Sequence, residues 1–385
     1  MEEIDYGITD EVEEGQACVM KSTVINTSKE MKSYSDFPIQ KEYPFYMHNK
    51  YVDKYFHLYE DKFGLKKYIR FQTEVKQLSQ DEDFKNSGKW KLTIMDKKTN
   101  TIEDVVFDAV MVCTGHHAEK NIPIFKGLSD FQGKVVHTHD FKTPTGYEGK
   151  RVVVIGIGNS GGDVSVYLST RRGSWIIHRI VENGAPIDMV RSSSVTVAHP
   201  TINDALPNQI ASGSIIVKPD IKQFTTFGVE FTDGTFVDDI DAVILGTGYI
   251  FGFPFLDKSV IDVQQTKVDM YMLMFPPNLE RHTLAIIGCF QPLGAIMPLS
   301  KMQSRLATRV FKGDVALPSR DEMWAEIHHR RLRQNVESQR HTIQVDYVTY
   351  IIELAEMVGC NPNLRQKLLT DPKLALKCIF GPCTP

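Results

Sequence analysis

Arg151-Val-Val-Val-Ile-Gly-Ile-Gly-Asn-Ser-Gly-Gly-Asp163 is the stretch of this 385-residue chain whose reading decides the fold. Four β-branched residues, Val152 to Ile155, run into G-x-G-x-x-G at Gly156, Gly158 and Gly161. A buried parallel strand that turns through glycines into a helix start is the context required of a dinucleotide fingerprint. Gly156 permits the tight turn, Gly158 lets the backbone approach a pyrophosphate, and Gly161 allows close packing. The amides of Ser160, Gly161, Gly162 and Asp163 then form an anion site. A glycine-rich turn without a ligand is the plainer reading.

Downstream stands Ser169-Thr170-Arg171-Arg172, where an NAD-specific site would end its second strand in an acid. An arginine there accommodates a 2′-phosphate and points to NADPH, against the plainer reading of a solvated basic turn. Between the glycine turn and Tyr167-Leu168-Ser169 lie only Val164, Ser165 and Val166. That is too short for a helical crossover between parallel strands, so either the site is malformed or the local topology differs.

Outward from this element the chain repeats itself. Phe107-Asp-Ala-Val-Met-Val-Cys-Thr-Gly-His116 matches Ile240-Asp-Ala-Val-Ile-Leu-Gly-Thr-Gly-Tyr249 in register. Each is an apolar run ending in Thr-Gly, as expected of a strand buried on both faces. Each also follows antiparallel-looking material: Lys67 to Leu78 and Lys89 to Val106 in one half, Ser214 to Val237 with its Asp233-Gly234 turn in the other. Two copies of one dinucleotide-binding plan result. The first copy lacks its opening element, because ahead of Gly64 the only glycines are Gly7 and Gly15. The C-terminal third reads as helices over Pro298 to Phe311, Asp321 to Gln334 and Thr349 to Val358.

Lys+Arg 44 against Asp+Glu 48 leaves a net charge of −4, so there is no basic field to attract nucleic acid. The six cysteines are dispersed, without C-x-x-C, which speaks against a disulfide framework, a zinc site or a redox pair and fits a reducing compartment. The first fourteen residues carry seven acids and no base, the reverse of a signal peptide. The longest apolar stretch, Ala242 to Leu256, is interrupted by glycines and Pro254, which excludes a spanning helix. A second site is suggested by Val24 to Glu30, where Thr27 and Glu30 fit a capping box with Asn26 just before the helix start. An uncharged amide beside exposed backbone N–H groups suits a flavin or nicotinamide face; an ordinary cap is the other reading.

With these residues in view, the chain resembles the animal flavin-containing monooxygenases, also called dimethylaniline monooxygenases (N-oxide-forming), from about Glu14 to Pro385. The resemblance is carried by KSTVINTSKEM, DAVMVCTGHH, GKRVVVIGIGNSGGD, STRRGSWI, FPPNLERHTLAIIG, QPLGAIMPLS, ESQRHTIQ and TDPKLAL. Its most specific part is F-x-G-x-x-x-H-x-x-x-[Y/F]-K, present as Phe131, Gly133, His137, Phe141 and Lys142. The resemblance implies that NADPH delivers a hydride to FAD and that O₂ then adds to the reduced flavin as a C4a-hydroperoxide. This species oxygenates soft amines and sulfides, a xenobiotic-metabolising activity. It implies that Asn26 contacts flavin and nicotinamide with Ile25 and Thr27 beside it, and that Arg171 takes the 2′-phosphate. Thr114-Gly115 and Thr247-Gly248 become linker turns between domains, and His137 an organiser of the inter-domain turn rather than a general base.

Four departures from the family pattern qualify this. The N-terminal FAD glycine motif is replaced by the acidic leader, the helix after the NADP turn is cut, an insertion between Ser194 and His199 is gone, and the chain stops before a hydrophobic membrane anchor. The expected architecture is α/β, with two Rossmann-like domains of the FAD/NAD(P)-binding type, the first incomplete, plus C-terminal helices. Its expected parts are 14–145 and 240–385 as the FAD-domain remnant with those helices, and 146–239 as the NADPH-binding domain. The family location is the cytosolic face of the endoplasmic reticulum, or the cytosol for this shortened chain. The rival reading is a non-catalytic family member that retains partial NADPH binding or associates with other subunits, including copies of itself.

Overall fold

The structure is a computed structural model that describes residues 12, 15–158, 167–171, 173–181, 184, 186–190, 200–264, 267–292, 294–337 and 342–380. Ser160, Gly161, Gly162, Asp163 and the segments 164–166 and 194–199 lie outside the described residues.

The first half opens with a short helix α1 (Lys29–Lys32) and a longer α2 (Asn49–Phe63). Gly64 ends α2 at φ 61°, a left-handed cap that favours glycine. An antiparallel meander follows, β1 (Thr73–Gln80), β2 (Trp90–Asp96) and β3 (Ile102–Phe107), as its alternating pattern predicts. Its start differs from expectation: Lys66–Tyr68 forms a single 3₁₀ turn, and pairing begins at Thr73. β4 (Val110–Val112) then enters the core and ends at the Thr114-Gly115 turn.

The second half is built on a five-stranded parallel sheet. Its members are β5 (Lys134–His137), β6 (Val152–Ile155), β7 (Tyr167–Ser169), β8 (Ile216–Lys218) and, after a second meander β9 (Ile221–Phe224), β10 (Val229–Phe231) and β11 (Phe236–Val237), the strand β12 (Ala242–Leu245). The order across the sheet is β8-β7-β6-β12-β5. Two expectations are settled here. β7 pairs parallel with β6, Val153 opposite Tyr167, so the alternative of a different local topology is excluded and the short connection returns the chain to the same sheet. Residues 156–166 separate the two strands, counted from the end of β6. Ile216–Lys218, read as antiparallel material, is instead the parallel edge strand β8, and only 221–237 forms the meander.

Both faces of the central strands are buried, which is why they read as unbroken apolar runs. Val153, Ile155, Val243 and Leu245 pack under the meander with Phe224, Val229 and Phe231. Their alternates Val152, Val154, Ala242 and Ile244 pack on the other side with Phe141, Leu168 and Leu206. β5 and β12 belong to this sheet, so it crosses the expected boundaries at 145/146 and 239/240.

The first-half sheet is small: β4 pairs parallel with β13 (Leu284–Ile286), and among the described residues these two strands are all of it. A large apolar core joins it to the C-terminal helices α3 (Ile296–Phe311), α4 (Arg320–Glu337) and α5 (Tyr347–Val358), close to the expected spans. Leu299 and Leu306 of α3 are fully buried, with Met302 and Val310 packed beside them. A polar chain crosses this core: Gln303 Oε1 accepts from the Gly288 N–H (2.8 Å), Gln303 Nε2 donates to the Tyr350 hydroxyl (2.7 Å), and that hydroxyl donates to the Met272 carbonyl (2.6 Å).

Candidate active site

In an open parallel sheet, ligands bind beyond the carboxyl ends of the strands. Four features of interest meet there: Gly156 after β6, Arg171 after β7, Gly248 after β12 and His137 at the end of β5. Gly156 has φ 108°, and a Cβ on it would lie deep inside contact distance of the Gly246 carbonyl oxygen. Its N–H donates to the Ser169 carbonyl at 2.9 Å, so the turn is tied to both neighbouring strands. Gly158 is exposed and a Cβ there would meet nothing within 4 Å, leaving its backbone open to a large ligand. Arg171 is exposed at the end of the neighbouring strand.

The two Thr-Gly turns of the repeat lead into each other. Glu119–Lys120, after Thr114-Gly115, pairs antiparallel with Tyr249–Ile250, after Thr247-Gly248. Asn121 clamps the second turn: its N–H donates to the Gly248 carbonyl (3.0 Å), its Nδ2 donates to the Thr247 carbonyl (3.1 Å), and the Thr247 hydroxyl donates back to its carbonyl (2.5 Å). Thr114 and Gly115 are exposed.

His137 Nδ1 accepts from the His139 N–H at 3.0 Å, so its Nε2 carries the proton and donates to the Gly248 carbonyl at 3.0 Å. Burial holds its pKa below the ordinary histidine value, which favours this neutral tautomer. The signature's two phenylalanines pack on opposite faces of the sheet, Phe131 under the meander and Phe141 on the other side. A Cβ on Gly133 would lie 2.8 Å from the Asp241 carbonyl oxygen and inside the Phe131 ring, so glycine lets Phe131 fold over the start of β5. The sequence reading missed the ring cluster beside it, in which His116 and His117 lie 4.2 Å apart and His117 and His137 stand 5.1 and 5.4 Å from Tyr249. The signal was present, since His116 and Tyr249 occupy matching positions in the repeat.

The Asn26 loop forms at the junction of the halves. The Ile25 N–H donates to the Met47 carbonyl at 2.9 Å, and the Thr27 hydroxyl to the Gly294 carbonyl at 3.5 Å. The capping box expected at Thr27 and Glu30 is displaced by one residue: Ser28, fully buried, is the N-cap of α1 and accepts from the Met31 N–H. Ser28 takes this place because its own N–H is held by Asp188 Oδ2 at 2.7 Å. Lys29 Nζ is buried and donates to the carbonyls of Gln40, Lys41 and Tyr43.

Two residues that the sequence reading passed over join this loop to the glycine turn. Thr201, buried, donates its hydroxyl to the carbonyl of Ile157, inside the turn. Thr201–Ile202 pairs with Ile176–Ile177, and just beyond that strand Arg179 reaches Asn26. Arg179 Nη2 donates to Asn26 Oδ1 at 2.9 Å and to the Val24 carbonyl at 3.4 Å, and Nε donates to the Ile25 carbonyl at 3.4 Å. Asp204 anchors the arginine, accepting from its backbone N–H (2.8 Å) and from Nη1 (2.6 Å). Burial would raise the Asp204 carboxyl, but these bonds outweigh it and hold the pKa below the usual carboxylate range.

Comparison with known proteins agrees with this geometry. A family model described as FMO-like, flavin-binding monooxygenase-like, matches residues 5–198 and 190–385. The chain belongs to the flavin-binding monooxygenase family. It is 47% identical over 425 residues to flavin-containing monooxygenase 5 of Cavia porcellus, covering 97% of this chain and 79% of that protein. It is 41% identical over 424 residues to dimethylaniline monooxygenase [N-oxide-forming] 2 of Rattus norvegicus, with the same coverage. These alignments are longer than the chain itself, so each relative carries internal stretches that this one lacks. Among solved structures, S-allyl-L-cysteine S-oxygenase from Allium sativum superposes with a TM-score of 0.69 at 21% identity, covering 93% of this chain and 80% of that one.

The cofactors of the family are FAD and NADPH. The described residues fit the nucleotide end of NADPH: a glycine turn that no Cβ could enter, an open Gly158, and Arg171 at the neighbouring strand end. The FAD-type sheet fits less well. Among the described residues, β4 and β13 stand as a pair. Among the described residues, no helix is long and apolar enough to cross a membrane.

Proposed function

We propose that the chain is an NADPH- and O₂-dependent monooxygenase of soft nitrogen and sulfur nucleophiles. The observation that carries this reading is the hydrogen-bonded path from the glycine turn at Ile157, through Thr201 and the Ile176–Ile177 pairing, to Arg179 and Asn26. It ties a nucleotide-binding turn in one half to an uncharged amide in the other. The names of an N-oxide-forming relative and of a structural neighbour that is an S-oxygenase support the substrate class.

When bound, FAD supplies the activation of O₂ after reduction by NADPH. The chain's own residues bind, orient and exclude water. Gly156 and Gly158, with Ser160 to Asp163, receive the NADPH pyrophosphate, and Arg171 the 2′-phosphate. Ile25, Asn26 and Thr27 face the flavin and nicotinamide rings. Thr114, Gly115 and Gly248 hold the linkers between the halves, and neutral His137 braces the second linker without exchanging a proton with substrate. The division into an FAD-domain remnant with C-terminal helices and an NADPH-binding domain belongs to this proposal, as does a place on the cytosolic face of the endoplasmic reticulum.

That β4 and β13 stand as a pair among the described residues favours a second reading, a family member without turnover that keeps NADPH binding or associates with other subunits. One experiment separates the two: the visible spectrum of the purified chain after incubation with FAD and gel filtration, before and after anaerobic NADPH. A retained flavin band that NADPH bleaches supports the oxygenase, to be pursued with tertiary amines and thioethers. Loss of the flavin on the column rejects it in favour of the second reading.

A further inference from the structure

Arg179 determines what Asn26 can offer a ligand. A guanidinium carries donors only, so the atom 2.9 Å from Nη2 is the amide oxygen of Asn26, and its Nδ2 amino group is turned the other way. Among the described residues, no protein acceptor meets that Nδ2. The opposite amide orientation would put two N–H donors against a cation and present an oxygen to the ligand, reversing the polarity of the site.

The arginine itself has little freedom. Its side chain is 17% exposed, Asp204 takes its Nη1 and its backbone N–H, and its carbonyl accepts from the Tyr46 hydroxyl at 2.6 Å. Its arm is continuous with the strand pair that Thr201 bonds to the glycine turn, so the ligand it serves is the one held at that turn.

We propose that Arg179 is a positioning residue, which orients Asn26 so that Nδ2 donates a hydrogen bond to the carboxamide oxygen of bound nicotinamide. This rests on the flavin monooxygenase reading above. A residue with a purely structural role would weaken every nucleotide ligand alike. A residue that orients Asn26 weakens only ligands that carry the nicotinamide.

The test compares NADP⁺ with adenosine 2′,5′-bisphosphate, which lacks the nicotinamide, on the full chain and on Asn26→Ala, Asn26→Asp, Arg179→Met, Arg179→Lys and the Asn26→Ala/Arg179→Met pair. Asn26→Asp keeps a partner for Arg179 and so keeps its unfolding temperature, but offers an acceptor where a donor is needed. It is expected to bind NADP⁺ about five- to tenfold more weakly, with unchanged affinity for the bisphosphate. Arg179→Met should match Asn26→Ala, the pair should be no weaker than either, and Arg179→Lys should recover part of the loss. Wild-type NADP⁺ affinity in Asn26→Asp, or multiplicative losses in the pair, overturns the proposal. Equal weakening of both ligands by Arg179→Met also overturns it, leaving the arginine a structural role. Failure of the unsubstituted chain to bind NADP⁺ at all overturns the monooxygenase reading instead, and this inference with it.

Discussion

Replacing Gly156 by alanine tests the account of the glycine turn most severely. The residue has φ 108°, a conformation that costs a non-glycine residue about 1–3 kcal/mol. The new methyl group would also sit inside the Gly246 carbonyl, with the carbonyl carbon only 3.0 Å away. Gly246 directly follows β12, which is hydrogen-bonded to β6 along its length, so relief requires the two central strands to part. Their side chains Val153, Ile155, Val243 and Leu245 are close-packed, and misfit there adds about 1–3 kcal/mol. The combined loss of about 2–6 kcal/mol is comparable with the whole stability of many domains. Urea unfolding followed by tryptophan fluorescence measures it, with Gly158→Ala as the comparison. At Gly158 a Cβ meets nothing, so alanine there should change stability by no more than about 0.5 kcal/mol while weakening NADPH binding. The steric argument is refuted if Gly156→Ala unfolds at the wild-type urea concentration, or if the two alanines destabilise the chain equally.

Three further outcomes follow from other parts of the molecule. On the role proposed for Arg171 at the 2′-phosphate, Arg171→Ala should weaken NADPH binding about ten- to a hundredfold and leave NADH unchanged; competitive titration of the two nucleotides reads this. Gln303→Leu strands the Gly288 N–H and takes the donor from the Tyr350 hydroxyl, and should cost about 2–3 kcal/mol, seen as a lower unfolding temperature. Burial, with His117 beside it, depresses the pKa of His116 from an ordinary 6.5 to about 4. The unfolded chain therefore binds the extra proton first, so the stability this neutral ring contributes is complete above pH 6.5 and is lost as the pH falls toward 4. Unfolding across this range should show that loss, and His116→Phe should make the slope shallower.

Much of this architecture was legible because its causes are local. Val152 to Ile155 is a continuous apolar run because both faces of the strand are covered, and Gly156 directly after it is required by a positive φ and the close approach of the Gly246 carbonyl. The repeat was visible for a related reason, since Thr247-Gly248 follows a strand buried throughout and Thr114-Gly115 follows one whose Val112 is buried and whose Val110 and Met111 are half-buried. Two local readings were decided by tertiary contacts. The cap passed from Thr27 to Ser28 because Asp188, far away in sequence, holds the Ser28 amide. A different topology ahead of Tyr167–Ser169 is excluded only by the parallel pairing of β7 with β6, a contact that the spacing along the chain does not encode.

The amino-acid sequence by itself therefore determined the α/β class, the strand-and-glycine element at Val152 to Gly156 and the family. Composition, periodicity and backbone-demanding glycines all act over a few residues and leave their mark in the order of the chain. Only the tertiary structure decided that Thr201 bonds Ile157 and that Arg179 turns the amide of Asn26. Those partners are 44 and 153 residues apart, and at such separations a hydrogen bond has no periodicity to betray it. It exists only because folding within the second half brings Thr201 to Ile157 and the packing of the two halves brings Arg179 to Asn26.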